Sequence, residues 1–484
     1  MRARTIRSTT RTATGLEMRA TTTPTTMALP KDIITVAESL KEAGYRTGYV
    51  GKWHLGTLTR EVIDSNRGGR PNQSQHYSPP WEHGFERCFS TEAKVPTWDP
   101  MLNPGDGKPY GTRYWNERGE IVTENLEGDD SRIIMDRVLP FITAAASAQR
   151  PFLAVIWLHA PHRPVVAGPR REEAYASTER EDLRRYYAVV AAIDASLARL
   201  RAHLQQLNVG DDTLLWYTSD NGPEGSAKEG QGSTAGLRGR KRSLYEGGVR
   251  VPGLLLWPNQ IREPRRLSCP ASTLDTLPTL AEILGVRLSP KRPLDGISLL
   301  PLLTGGGPDE RPGHSALPFL FGKAAALHAG SLKVIRPKQD GKWELYDLSS
   351  DPQESENLAA ERPGKLAQSV GRFDAWMISA KESRERCGVS GNALQGGVGL
   401  LSAHLNGGNE DNRRQDSCQQ GAGSGPGLIA NRPALPDKKY QEAGVDHGQH
   451  GAGAQDGAVG DRGAPVHGKP ARGNTPKCSR TLGE

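Results

Sequence analysis

"PFLAVIWLHAPH", residues Pro151 to His162, runs from Phe152 to Leu158 without a polar side chain and then turns abruptly to histidine, proline and histidine. A strand with one wet face would alternate apolar and polar residues; an unbroken apolar run belongs to a strand covered on both faces, as in parallel sheets. The flanking sequence supplies the covers. Upstream, "DDSRIIMDRVLPFITAAA" reads as a helix kept amphipathic by Ile133, Ile134, Val138 and Ile142. Downstream, Tyr186, Val190, Ile193, Leu197, Leu200, Leu204 and Leu207 recur at alternating spacings of four and three, the period of a second helix. "TLLWYTS", from Thr213, repeats the buried-strand pattern, and "VPGLLLWP", from Val251, repeats it again.

The same plan stands earlier in the chain. In "TVAESLKEAGYRTGYVGKWHLG", Thr35 and Glu38 form a capping box, Gly44 is the expected stop, and "YRTGYVG" is a short strand that ends at Lys52 and His54. Alternating helices and apolar strands predict an α/β fold with a mostly parallel central sheet and helices on both faces. After Thr304 the pattern changes to strand, turn, strand and a final helix in "LKVIRPKQDGKWELYDLSSDPQESENLA", which predicts a small C-terminal antiparallel sheet. The expected organisation is an Arg/Thr-rich start without assignment (1–28), the α/β domain (29–310), the small subdomain (311–386) and a Gly-rich tail (387–484). The tail has too little apolar surface to offset its ordering entropy and is expected to be disordered.

Composition narrows the function classes. The formal charge of +7 comes from 62 basic and 55 acidic residues spread over 484, whereas a nucleic-acid binder concentrates its charge, so no nucleic-acid partner is expected. The one dense run, Arg238 to Arg242 in "GLRGRKRSLYEGG", suits a loop that meets an anion. Five cysteines without a C-x-x-C spacing signal neither a zinc site nor a disulfide framework. No apolar run reaches the length of a membrane span.

Ligands of parallel α/β sheets bind beyond the carboxyl ends of the strands. Three strands deliver chemistry there: Lys52 and His54 follow the first, His159 and His162 the second, Asp220 and Asn221 of "SDNG" the third. Each turn alone has an ordinary reading as a polar loop; three turns at one edge have no structural reason to share this chemistry. Hard oxygen donors at Asp220 and Asn221 suit calcium or magnesium. With the cations Lys52 and Lys241 and proton-transferring histidines, the set fits an oxyanion, and a sulfate or phosphate ester is the expected substrate class.

With these residues assembled, the sequence resembles the type I sulfatases (arylsulfatases) of the alkaline phosphatase superfamily. "AGYRTGYVGKWHLG", "FLAVIWLHAPHRP", "TLLWYTSDNGPEG", "GLRGRKRSLYEGGVRVPGLLLWP" and "WELYDLSSDPQESENLA" match blocks of that family in order, over roughly Leu29 to Ala380. The resemblance implies hydrolysis of sulfate esters with a formylglycine nucleophile and a Ca2+ ion. It assigns Asp220 and Asn221 to the metal, Lys52 and His54 to the aldehyde hydrate, and His162 and Lys241 to the sulfate and the leaving oxygen. It also implies a periplasmic, extracellular or lysosomal-type location; oligomeric state is not indicated.

Two family elements have no counterpart. No Cys-x-Pro-x-Arg or Ser-x-Pro-x-Arg occurs anywhere in the sequence, and the aspartate pair of the family's first strand is missing. By position both would fall at or before Met1. The expectation is therefore an N-terminally truncated member that lacks the first strand, half the metal ligands and covalent turnover. Two alternatives share the site: a non-catalytic relative that binds a sulfated ligand or partner, and a phosphoesterase or phosphonate hydrolase of the same superfamily.

Overall fold

Thr35 starts the first helix as its sequence demands. Its side chain accepts from the Glu38 backbone N–H at 3.2 Å, and its own N–H donates to Glu38 Oε2 at 2.6 Å. The helix (α1, Val36–Glu42) stops at Ala43, and Gly44 follows at φ 87° with its N–H on the Lys41 carbonyl. The chain then enters a strand (β2, Arg46–Lys52). The computed structural model describes residues 4–8 and 28–385, apart from 32, 65–67, 226–230, 287–293, 313–314 and 340. The Gly-rich tail expected to be disordered lies outside the described residues, as does Asp340 of "QDGK".

The large sheet has eight strands in the order β5-β4-β3-β2-β6-β1-β7-β8. Its parallel core is β2, a strand at Arg4–Ser8 (β1), Phe152–Trp157 (β6) and Thr213–Thr218 (β7). Beside them run Arg87–Thr91 (β3, parallel to β2), Tyr114–Asn116 (β4) and Ile121–Val122 (β5), the last two antiparallel. Helices Asp130–Ser147 (α2) and Glu181–Gln206 (α3) pack on one face, α1 on the other.

β6 shows why its sequence does not alternate. Phe152, Ala154 and Ile156 join Ile133, Ile134 and Val138 of α2 and Val189, Ile193 and Leu200 of α3. Leu153, Val155 and Trp157 join Ala37 and Leu40 of α1 with Tyr49 and Trp53. Each of the larger side chains contributes about 1.5–3 kcal/mol by leaving water, so both faces reward apolar residues. The α3 stripe is turned slightly from the expected one near its start: Ala188 and Val189 are buried, while Val190 is 41% exposed.

Two expectations are corrected. The central sheet does not lack a strand at the place where the family's first strand was expected to be missing. Arg4–Ser8, within the unassigned start, pairs parallel with Leu153–Ile156 on one side and Thr213–Tyr217 on the other. Without it, two facing rows of backbone groups would be unpaired in the middle of the sheet, a cost that five Gly- and Pro-free residues remove. "VPGLLLWP" is also not a doubly covered parallel strand. Gly253–Leu256 (β8) pairs antiparallel with β7 at the sheet edge, and Leu254 is 62% exposed.

The C-terminal part is a four-stranded antiparallel sheet of Leu317–Phe321 (β9), Ala324–Ala329 (β10), Leu332–Arg336 (β11) and Glu344–Asp347 (β12). One face packs on the final helix at Pro363–Glu385, through Phe373. The other packs on Leu244 and Tyr245, just before a short helix at Glu246–Val249. A buried ion cluster fastens this junction. Lys333 Nζ of β11 lies 2.8 Å from Glu246 Oε1 and 3.0 Å from Glu354 Oε1, and the Glu246 N–H donates to Glu354 Oε2 at 2.6 Å. Burial pushes the Glu354 carboxyl up, and the Lys333 charge opposes that. Among the described residues no helix is long and apolar enough to cross a membrane.

Removing a buried cation while leaving its carboxylates is among the costliest single changes. Lys333→Met is expected to lower unfolding stability by about 3–5 kcal/mol in urea, and the triple variant with Glu246→Gln and Glu354→Gln to recover most of that loss. Equal stability of Lys333→Met and wild type would show that the cluster does not hold the two sheets together.

Candidate functional site

Parallel pairing of β2 and β6 puts Gly51 opposite Trp157, so both strands leave the sheet at the same height. Gly51 sits at φ 107°, and a Cβ there would lie 1.9 Å from the Trp157 carbonyl oxygen. Only glycine permits this approach. The next residue, Lys52, is 9% exposed, and its carbonyl accepts from the Tyr49 hydroxyl. The Trp53 ring stacks between Trp157 and His83 and donates through Nε1 to the Ser78 carbonyl at 2.6 Å, while its N–H bonds the Thr91 carbonyl at 2.9 Å. Held in this way, His54 adopts φ 54°, a left-handed conformation that costs a non-glycine residue and is concentrated at functional sites.

The two histidines of "HAPH" separate. His159 is fully enclosed: Nδ1 meets Asp130 Oδ2 at 2.8 Å and Nε2 meets Thr91 Oγ1 at 2.7 Å, with the Tyr114 hydroxyl on the other oxygen of Asp130. Both ring nitrogens are therefore spent inside the core. His162, at the end of the loop, holds the Arg163 carbonyl through Nδ1 at 2.7 Å. A carbonyl only accepts, so Nδ1 carries the proton and Nε2 is the group left for chemistry. Burial first, and then the nearby charges of Lys52 and Lys241, lower the His162 pKa to about 3.

Lys241 reaches this place by a different route. Beyond β7, the "DNG" turn presses on the "EGG" backbone, where Gly222 donates to the Gly248 carbonyl at 2.9 Å and a Cβ on Gly222 would lie 1.9 Å from the Gly247 oxygen. The Lys241 N–H bonds the Pro223 carbonyl at 3.1 Å. Arg240 binds the carbonyls of Glu224, Gly225, Gln231 and Gly232 between 2.6 and 3.1 Å. Lys241 Nζ then pairs with Glu224 Oε2 at 3.2 Å, and Arg242 with Glu224 Oε1. Burial alone would raise the Glu224 carboxyl, but the hydrogen bonds and charges of Arg242 and Lys241 outweigh it and hold it at about 2.

The basic run is thus four separate devices rather than one anion patch. Arg238 lies 3.8 Å over the Tyr245 ring and bonds the Tyr346 hydroxyl and the Glu354 carbonyl, Arg240 gathers carbonyls, Arg242 meets Glu224, and Lys241 is the member whose charge acts on His162. Glu224 and Arg240 were not singled out by sequence reasoning. "DNGPEG" and "RGRK" are adjacent only in space, although an acid three residues past Asn221 was a usable signal.

Asp220 and Asn221 stand at the same sheet edge, beyond β7. β1 lies between β7 and β6, so they are about 10 Å from the β6 loop, two strand spacings. Their oxygens suit a hard cation but make up two of the about six to eight ligands that calcium takes. Among the described residues no group of three or more His, Cys, Asp or Glu forms a metal site. β1 does not complete the set, because the first acidic residue of the sequence is Glu17.

Fold and site together define an alkaline-phosphatase-like α/β protein with a cationic, histidine-bearing edge. The family model for sulfatases matches residues 2–286, and the model for the C-terminal region of N-sulphoglucosamine sulphohydrolase matches 239–370. Human arylsulfatase A is 33% identical over 367 residues, 68% of this chain and 68% of its own length. Dog N-acetylgalactosamine-6-sulfatase is 30% identical over 59% of this chain. The chain belongs to the sulfatase family. It spans about half the length (51%) of the dog relative it matches. Among solved structures, Ps i-CgsB in complex with k-i-k-neocarrahexaose shares the fold with TM-score 0.64 at 22% identity, covering 78% of this chain and 86% of that one. PsFucS1 sulfatase from Pseudoalteromonas sp. does so with TM-score 0.59 at 18% identity, covering 78% and 82%.

The His162 shift fixes a pH dependence. The unfolded chain carries an ordinary imidazole near pH ~6.5, whereas the folded one protonates at about 3. Between these values the unfolded state binds a proton that the folded state refuses, so stability is lost as pH falls through this window and is unaffected at pH 7 and above. His162→Gln is expected to lose less stability than wild type in urea titrations taken from pH ~7.5 down to ~4.5. Parallel losses in the two proteins would contradict a depressed His162.

Proposed function

We propose that this chain binds a sulfate ester at the carboxyl edge of its large sheet, with the sulfate between Lys52 and Lys241 and His162 against the ester oxygen. The observation that carries this reading is the convergence of two lysine charges on one half-buried imidazole, at the edge where parallel sheets bind ligands. The ammonium groups hold the anionic head and spread charge as the S–O bond lengthens. An anion beside His162 offsets the two lysines and favours a proton on Nε2. Were an attacking oxygen supplied to form the new bond to sulfur, His162 Nε2 or Lys241 Nζ would give a proton to the leaving oxygen as that oxygen takes the electron pair of the broken S–O bond. His54, across the loop from Lys52, is the base of the site.

In this family a formylglycine supplies the attacking oxygen and calcium holds the sulfate oxygens; Asp220 and Asn221 are the residues here suited to that ion. The 484 residues contain no C/S-x-P-x-R from which a formylglycine is made. The reading for this chain is therefore recognition of the ester by an incomplete hydrolytic centre. An aryl sulfate offered with calcium is expected to bind, to be displaced by inorganic sulfate, and to bind about tenfold or more weakly after Lys52→Ala or Lys241→Ala, as for a lost charge-assisted contact. No phenol release is expected. Release that Lys52→Ala or His54→Ala abolishes would overturn the claim that the 484-residue chain does not turn over, and binding untouched by both lysine substitutions would sink the site itself.

A further inference from the structure

Among the described residues, Glu224 is the carboxylate that the structure brings onto Lys241. Its Oε2 lies 3.2 Å from Lys241 Nζ, and its Oε1 meets Arg242. The two ends of this bridge differ. The Lys241 and Glu224 side chains are 14% and 20% exposed, whereas that of Arg242 is 61% exposed. The inner end faces the site and the outer end faces water. The main chain beneath cannot follow a movement of the carboxylate, because Lys241 N–H holds the Pro223 carbonyl at 3.1 Å and Arg240 holds the Glu224 carbonyl at 3.0 Å. A rotation of the Glu224 side chain alone can release Lys241 while Arg242 keeps the carboxylate paired.

A carboxylate and a sulfate offer an ammonium group the same thing, hard anionic oxygens at hydrogen-bond distance. We infer that Glu224 is a resident stand-in for the sulfate on Lys241, displaced toward Arg242 when the anion enters and returning to expel inorganic sulfate afterwards. This rests on the reading that Lys241 receives the sulfate. Its consequence is selectivity: an anion must compete with a tethered carboxylate, so weak or singly contacted anions do not occupy the site, and the product does not linger. A structural strut that merely aims Lys241 would have the opposite effect on affinity, because its loss would misplace the cation.

The test is calorimetric titration of sodium sulfate into the full 484-residue chain, as wild type and as Glu224→Gln, Glu224→Ala and Lys241→Ala, with thermal melts to establish that each is folded. Wild type is expected to bind sulfate, Lys241→Ala to bind at least about tenfold more weakly, and both Glu224 variants to bind about tenfold more tightly. If Lys241→Ala loses binding while the folded Glu224 variants bind no better than wild type, Glu224 is a strut and the inference is overturned. If Lys241→Ala binds sulfate as wild type does, or if neither wild type nor the Glu224 variants bind it, the assignment of Lys241 to the sulfate fails and the inference falls with it.

Discussion

Close backbone contact between β2 and β6 governs the geometry of the site. Gly51 faces Trp157 at a distance that excludes a Cβ, and this brings the last residue of β2 level with the start of the "LHAPH" loop. Lys52 and the His162 loop then leave neighbouring strands at one edge. Behind them, Tyr49, Trp53, Trp157 and Phe85 pack edge-to-face and stacked with ring centroids 5.0 to 6.4 Å apart. That aromatic block makes the left-handed His54 affordable, since the residue before it is fixed at its ring and at its N–H.

The electrostatics follow from this placement. Burial first, and then the charges of Lys52 and Lys241, disfavour a proton on the His162 imidazole and hold its pKa well below the usual range. Glu224 supplies compensating charge from the side of the "DNG" turn. The small C-terminal sheet enters the same account, because Lys333, Glu354 and Tyr346 hold Glu246 and Arg238 on either side of Lys241. Its attachment therefore bears on where the cation stands, although none of its strands reaches the sheet edge.

The sequence carried the elements whose surroundings are simple. β2, β6 and β7, the helices α1, α2 and α3, and the hairpin of β11 and β12 were legible, because double burial, capping chemistry and helical period leave one-dimensional traces. β3, β4 and β5 were not, since they are short strands whose stabilising partners lie far away in the sequence. β9 and β10 escaped for the same reason. β8 misled, because a run of leucines reads as doubly buried whether or not a second layer covers it. Lys52, His162 and Lys241 were read from their places at strand ends and loop tips, and the structure brings both lysine charges to bear on the His162 ring. His159 looked equivalent to His162 until Thr91 and Asp130, which lie 68 and 29 residues away, closed over it.

β1 is the least legible element and the one with the largest consequence. Five residues with two arginines carry no apolar run, yet their backbone fills the place between β6 and β7. The sequence has threonine, serine and arginine at this place and no acid before Glu17. In the proposed site the acids are Asp220 beyond β7 and Glu224 beside Lys241, and the cations that act on His162 are Lys52 and Lys241. Under the proposed reading such a balance favours an anion as occupant, since each cation that meets a sulfate oxygen relieves a repulsion between like charges.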